Sequence, residues 1–174
     1  YRVVNEGHFS LDLRNGALLI SRSSMALRWN GEVPVLITSS DSSSRGVHLI
    51  GAAGTSTFDH VDFRHLMRYA YEQPFTGDVS LHRSDARFVG CSFSGTGATL
   101  LDASLGTVRL EQCTFRGGSD QFEGHHVSAT ITGCAFSDAA DDAVSLAGGT
   151  ALCENTELAG AHGIGLKATA LARI

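Results

Sequence analysis

Three copies of one short segment decide the fold: RFVGCSF at residues 87–93, RLEQCTF at 109–115 and TITGCAF at 130–136. Each copy carries a cysteine followed two places later by a phenylalanine, and the cysteines recur at nearly even intervals, at Cys91, Cys113 and Cys134. A weaker fourth copy, LCENTEL, occupies residues 152–158. A fixed period of this length is typical of stacked repeats, because a single repeat cannot bury its own apolar face. The sequence therefore predicts a solenoid.

Each copy alternates small or apolar residues with polar ones, which is the pattern of a β-strand with one buried face. The turns between copies are rich in Gly, Ser, Asp and Ala and are too short for helices. Two or three short strands in about 21 residues close as a coil of parallel strands. We therefore expect an all-β fold, a single-stranded right-handed parallel β-helix of about eight coils of ~21–22 residues. Residues 1–174 would form a single domain, as one module or fragment of a longer protein.

One coil is longer than the others, since the interval from Phe63 to Phe93 clearly exceeds the interval from Phe93 to Phe115. We expect the extra residues in a loop at about 66–77 that leaves the stack. The loop contains Arg68, Tyr69 and Tyr71, and aromatic faces beside an arginine suit a sugar platform. We predict these three residues to bind substrate. The alternative is that the rings fold back onto the side of the coil.

Composition narrows the range of partners. The formal net charge is −5, and residues 111–174 hold three Lys or Arg against eight Asp or Glu, so this segment carries the whole excess. Nucleic acid binding needs a basic stripe, which argues against a nucleic acid partner. The chain has no run of about 18 apolar residues, so no membrane span is predicted. Open strand edges at the ends of a solenoid invite edge-to-edge self-association.

The cysteines and phenylalanines of the repeats should be structural. Metal sites use clustered cysteine pairs, whereas these cysteines are one coil period apart. Adjacent coils about 4.8 Å apart would permit a disulfide by distance, but side chains stacked in parallel rarely reach the required torsion. We expect buried free thiols at Cys91, Cys113 and Cys134, with a disulfide or a metal as the alternatives. A stacked phenylalanine column should lie beside them.

A second register places polar residues on successive coils: SD at 119–120, ADDAVSL at 140–146 and AHGIGL at 161–166. Because these segments also follow one another at the coil period, three aspartates and a histidine stack on one side of the solenoid. This set resembles the active-site face of the polygalacturonase family. Those proteins are right-handed β-helices of the pectin-lyase-like superfamily, and they hydrolyse pectic polysaccharides.

Inverting glycoside hydrolysis needs a protonated carboxyl at the leaving oxygen and carboxylates that activate water across a gap. The resemblance implies that Asp142 is the general acid, that Asp120 and Asp141 position and activate the water, and that His162 tunes their protonation. The sequence departs from the family pattern, since Gly-Ser replaces Asn-Thr, Ala replaces two glycines, and the expected Arg-Ile-Lys is not found on a later coil. Lys167 is also predicted to bind substrate.

Two other interpretations of the aspartates stay open. Asp138, Asp141 and Asp142 can cap a turn, because aspartate side chains accept hydrogen bonds from nearby backbone N–H groups. The same carboxylates can hold calcium, as in the similar pectate lyases, which bind an acidic sugar through it. No other cofactor is predicted. His125 and His126 follow Glu123 and suggest a metal site, but neighbours on a strand point to opposite faces. We therefore expect solvated histidines and predict no metal ligand here.

The N-terminal half resembles β-helix regions of large bacterial surface and exported proteins, on residues 26–40, 43–50 and 56–63. The resemblance implies a secreted, periplasmic or cell-surface location. The favoured function is a non-catalytic module that binds or displays carbohydrate, or acts as a spacer, because the acidic face would repel a polyuronate. The alternative is a polysaccharide-degrading enzyme that uses the three aspartates and His162, either a polygalacturonase-like hydrolase or a calcium-dependent, pectate-lyase-like enzyme.

Overall fold

The computed structural model describes residues 9–29, 31, 34–66, 76–96 and 99–169. Within these ranges the chain is all β, without a helix, as the repeat pattern predicted. The strands are β1 (Ser10–Asp12), β2 (Leu19–Ser23), β3 (Ala26–Arg28), β4 (Val35–Thr38), β5 (Val47–Ala53), β6 (Thr55–Asp59), β7 (Val61–Arg64), β8 (Gly77–His82), β9 (Asp85–Val89), β10 (Ser92–Gly95), β11 (Thr99–Ser104), β12 (Thr107–Glu111), β13 (Thr114–Gly117), β14 (Phe122–Thr132), β15 (Ala135–Ser137), β16 (Val144–Glu154), β17 (Glu157–Ala159) and β18 (Leu166–Thr169).

The strands coil into a parallel β-solenoid of about seven turns. A seven-stranded sheet has the order β1-β4-β7-β10-β13-β15-β17. An eleven-stranded sheet has the order β2-β5-β8-β11-β14-β12-β9-β6-β3, and β16 pairs with both β14 and β18. Each strand pairs in parallel with the strand one coil away, as between β10 and β13 or β14 and β16. The parallel solenoid is confirmed, and its right-handed sense stays a prediction.

The expected count of about eight coils was slightly too high, because the coils are unequal in length. Phe93 lies opposite Phe115, and Phe115 lies opposite Phe136, so these coils have the period of the three clearest copies. Earlier in the chain, Ile37 lies opposite Phe63, and Phe63 lies opposite Phe93, and both of these intervals are several residues longer. The period of the clearest copies therefore underestimates the length of the earlier coils.

Strand β14 turns a corner of the coil without a break. Its first part, Phe122–His125, pairs with β11, and its second part, Ser128–Thr132, pairs with β12. Between them His126 has a φ of 53°, a left-handed backbone conformation that redirects the chain. Strand β16 turns at the equivalent place through Gly148 and Gly149, which both have positive φ, and a Cβ atom at Gly149 would lie 2.0 Å from the carbonyl oxygen of Val127. Only glycine fits this second corner.

The phenylalanine column predicted from the repeats is confirmed. Phe63, Phe93, Phe115 and Phe136 stack with ring centroids 4.9, 4.5 and 4.5 Å apart, and all four are fully buried. Burial of one such ring contributes about 1.5–3 kcal/mol. A favourable aromatic pair adds about 0.5–1.5 kcal/mol. The column therefore holds successive coils together along the solenoid axis.

The cysteines form a second buried column. Cys91, Cys113 and Cys134 are free, and Cys134 Sγ accepts a hydrogen bond from the Cys113 N–H at 3.4 Å. The hydrogen bond with Cys134 lowers the pKa of Cys113, but the bond with Cys91 and burial outweigh it and raise that pKa to about 12. The Cys113 thiol is therefore protonated at neutral pH and serves as a small packing group.

The loop expected at about 66–77 falls mostly on residues 67–75, which lie outside the described ranges. Leu66 before it is fully buried, and β8 begins after it at Gly77. A Cβ atom at Gly77 would lie 2.8 Å from the backbone nitrogen of Asp102, so β8 approaches β11 closely at this point. In the described part of the chain, no helix has the length and apolar character needed to cross a membrane.

Candidate functional site

Strands β8, β11, β14, β16 and β18 carry polar side chains on the face that points away from the core. Pairing places Ser80, Asp102, Glu123, Ser145 and Lys167 in register, one on each successive strand. The residues on either side of Asp102 belong to the buried core, so strand alternation directs this set outward. We call these five residues the polar column.

A second set lies two residues further along the same strands. His82, Ser104 and His125 are in register, and His82 Nδ1 lies 2.8 Å from Ser104 Oγ. His125 Nε2 lies 3.0 Å from Glu123 Oε1. Because residues two apart on a strand share a face, this second set lies beside the polar column.

Members of both sets line a surface cavity of about 310 Å³. Its wall includes Thr76, His82, Asp102, Glu123, His125 and His126, and we call it the histidine–carboxylate cavity. One oxygen of Asp102, one oxygen of Glu123 and one ring nitrogen of His125 all lie within 4.8 Å of one another. The cavity therefore brings two carboxyl groups and an imidazole to one point.

Asp102 is the most perturbed acid of this cavity. Only 6% of the residue is exposed. Burial, followed by the charge of Glu123, raises the pKa of Asp102 to about 6, against the opposing effects of hydrogen bonds from Thr76 and the charge of His125. A carboxyl group with this pKa exchanges its proton close to neutral pH, whereas an ordinary aspartate is already ionised there.

Asp142, predicted as the general acid, is buried and paired. Its Oδ2 lies 2.8 Å from Lys167 Nζ, and its Oδ1 accepts a hydrogen bond from the Ile164 N–H at 2.8 Å. Burial raises the pKa of Asp142, but these two hydrogen bonds outweigh burial and hold the pKa below its usual value. Asp142 therefore ties the chain near Ile164 to the previous coil, and the hydrogen bond spans two coils instead of capping the turn that contains Asp142.

Asp120, Asp141 and Asp142 are brought to one side of the solenoid, as the spacing predicted. A Cβ atom at Gly163 would lie 2.4 Å from Asp141 Oδ1 and 2.7 Å from Asp142 Oδ1, so both carboxyl groups pack against this glycine. Asp120 is half-buried, and burial, then the charges of Glu123, Asp141 and Asp142, raises its pKa. Glu123 also raises the pKa of Asp102, so its charge acts both on the cavity and on the neighbouring aspartates.

The other predicted site residues fall into two groups. His162 is exposed one coil beyond the aspartates, and its backbone N–H donates to the carbonyl oxygen of Ala139 at 3.0 Å. Arg68, Tyr69 and Tyr71 lie outside the described residues. The catalytic and substrate-binding roles given to all these residues stay predictions.

The spacing of four residues in the sequence indicates the cavity, although these residues lie outside the aligned repeats. Asp102 precedes Glu123, and Ser104 precedes His125, by the same interval, which is the coil period. His125 and His126 were expected to be solvated, and both are exposed, but both also line the open cavity. The reason is the left-handed conformation of His126, which ends the strict alternation of the strand at that corner.

Comparison with known proteins identifies no relative of this chain. No family model matches the chain, and no curated protein or solved structure matches it either. The likeness to polygalacturonases therefore depends on the aspartate and histidine spacing alone. A functional assignment therefore depends on the geometry of the cavity and of the neighbouring aspartates.

Proposed function

We propose that this chain is a β-solenoid module of an exported or surface protein that binds carbohydrate through the histidine–carboxylate cavity and the adjoining polar column. One observation carries the proposal: carboxylate, imidazole and hydroxyl groups from three consecutive strands converge in one surface cavity. Sugar hydroxyl groups both donate and accept hydrogen bonds, and these side chains offer matching partners. Polar groups that line a concave site determine how a ligand is oriented.

The negative charge of the site favours neutral sugars over acidic ones. Asp102 and Glu123 line the cavity, Asp120 lies close enough to Glu123 and Asp141 for their charges to raise its pKa, and the ammonium group of Lys167 is engaged by Asp142. A polyuronate would bring further carboxylates towards these acids, and like charges at short distance repel. A neutral, hydroxyl-rich oligosaccharide avoids this repulsion. We therefore assign the cavity to neutral glycans.

The binding test uses the untagged chain in EDTA, with calorimetric titration of neutral glucan and xylan fragments and of polygalacturonate. The change Glu123→Ala removes one acceptor from the cavity, and we expect it to weaken neutral-glycan binding about tenfold or more, because a charged hydrogen bond contributes about 1.5–3 kcal/mol. Glu157→Ala, on an exposed strand of the other sheet, is the matched control and should leave binding unchanged. Tighter binding of polygalacturonate, or equal binding by both variants, would contradict the proposal.

A second candidate is a polysaccharide hydrolase of the pectin-lyase-like type, and the opposite pKa shifts of two neighbouring aspartates favour it. Burial and nearby acids raise the pKa of Asp120, whereas Lys167 and the Ile164 N–H keep Asp142 ionised despite its burial. A hydrolase of this type needs one protonated and one ionised carboxyl group, and pKa shifts in opposite directions provide such a pair. In this hydrolase Asp120, not Asp142, donates the proton to the leaving oxygen.

Reducing-end release tests the hydrolase directly. The chain is incubated with neutral glycans and with polygalacturonate, with and without calcium, beside Asp120→Asn and Asp138→Asn, the latter an exposed control. The hydrolase predicts release by the parent that Asp120→Asn abolishes and Asp138→Asn preserves. Unsaturated products formed only with calcium would instead indicate a lyase. Absence of any release by the parent would remove this candidate and leave the binding module.

A further inference from the structure

The carboxyl groups of Asp102 and Glu123 lie so close together in the cavity that a bound cation would stabilise them. Asp102 and Glu123 lie directly opposite each other on β11 and β14, where neighbouring parallel strands are about 4.8 Å apart. Like charges placed opposite each other on adjacent strands destabilise a sheet. Asp102 is also buried, and His125 approaches the same point from the same side. A bound cation would relieve this repulsion while using all three groups.

The donor set indicates which cation fits. Calcium and magnesium are held by oxygen ligands, and an imidazole nitrogen is a poor ligand for either. Imidazole together with carboxylate oxygens suits first-row divalent transition metals, among them zinc. Among the described residues, Asp120, Asp141 and Asp142 do not form such a group of three. The donor set of the cavity therefore differs in position and in chemistry from the calcium site considered above.

We propose that Asp102, Glu123 and His125 bind one divalent transition-metal ion of the zinc class at the base of the histidine–carboxylate cavity. Three protein ligands leave a coordination position open, as in zinc sites that accept water or a ligand. His82 and His126 line the same cavity as these three residues. Hydrogen bonds from Thr76, at the wall of the same cavity, orient the Asp102 carboxyl group, which is a usual role of groups around a metal site. This site does not depend on carbohydrate binding.

The test uses the untagged chain after dialysis against EDTA and then metal-free buffer. Cobalt chloride is titrated in and followed by its visible absorption, and zinc chloride is then added to displace it. We expect one cobalt ion per chain with nitrogen and oxygen ligation, full displacement by zinc, and a higher unfolding temperature in the presence of either ion. Calcium chloride at the same concentration should not displace the cobalt.

Two ligand variants and one control decide the outcome. We expect His125→Ala and Glu123→Gln each to weaken cobalt binding about tenfold or more, since each removes a ligand worth at least about 1.4 kcal/mol. His162→Ala removes an exposed histidine outside the cavity and should bind cobalt as the parent does. Circular dichroism confirms that each variant is folded. No cobalt binding by the folded parent, a cobalt–thiolate absorption band, or unchanged binding in both ligand variants would overturn the proposal.

Discussion

Asp102→Asn should stabilise the metal-free protein at neutral pH. In the folded chain, burial and then Glu123 raise the pKa of Asp102 from 3.8 to about 6, so ionisation of this group disfavours the fold. Each pKa unit corresponds to about 1.4 kcal/mol, which makes the full effect about 3 kcal/mol. The sign follows from proton linkage: the folded state binds the proton more tightly, so stability is retained below pH 3.8 and is lost as the pH rises through 6.

Urea unfolding in EDTA at pH 4 and pH 8 measures this effect. At pH 8 the variant should be more stable than the parent by up to about 3 kcal/mol, because asparagine keeps an acceptor for Thr76 and removes the charge that faces Glu123. At pH 4 the two proteins should differ much less. The exposed residue Asp138 provides the control, since Asp138→Asn should not reproduce the difference between the two pH values. An Asp102→Asn protein no more stable than the parent at pH 8 would refute the reasoning.

Three further predictions concern the packing of the coils. Phe115→Ala should lower the free energy of unfolding by about 3–5 kcal/mol in urea titrations, because the ring is fully buried and stacked on both faces. Lys167→Met should lower the thermal midpoint at pH 7, since it leaves the buried Asp142 carboxylate without its cation, and the loss should shrink as the pH falls below 3.8 and the carboxyl group becomes protonated. Gly149→Ala should reduce the yield of folded protein and its thermal midpoint, because the added methyl group would collide with the backbone of the adjacent coil.

The sequence predicted the architecture because identical positions recur. The repeats around Cys113 and Phe115 place equivalent side chains one period apart, and parallel pairing turns that spacing into direct contact. The predicted columns therefore appear as expected. The number of coils was less predictable, because the earlier coils are longer and lack the cysteine–phenylalanine signature. Coil length in that half depends on corner and loop conformation, which a periodic pattern does not encode.

The cavity was harder to predict for a different reason. Asp102 and Glu123 differ in type, so their alignment on successive coils is not visible as a repeat, although their spacing equals the period. His126 itself has a left-handed backbone conformation, and strand alternation does not anticipate where its side chain then lies. Similarly, the spacing gave the common side of Asp141 and Asp142, but the pairing of Asp142 with Lys167 depends on side-chain geometry.

The unbroken alignment of rings from Phe63 to Phe136 has a consequence for how such a molecule lengthens. Duplication of one whole turn would give every new interior side chain a partner of its own kind above and below. The same duplication would copy the outward-facing groups, so that an inserted turn carrying Glu123 would extend the row of acids by one step. Growth by whole turns thus enlarges the outward-facing polar surface while the interior needs no redesign.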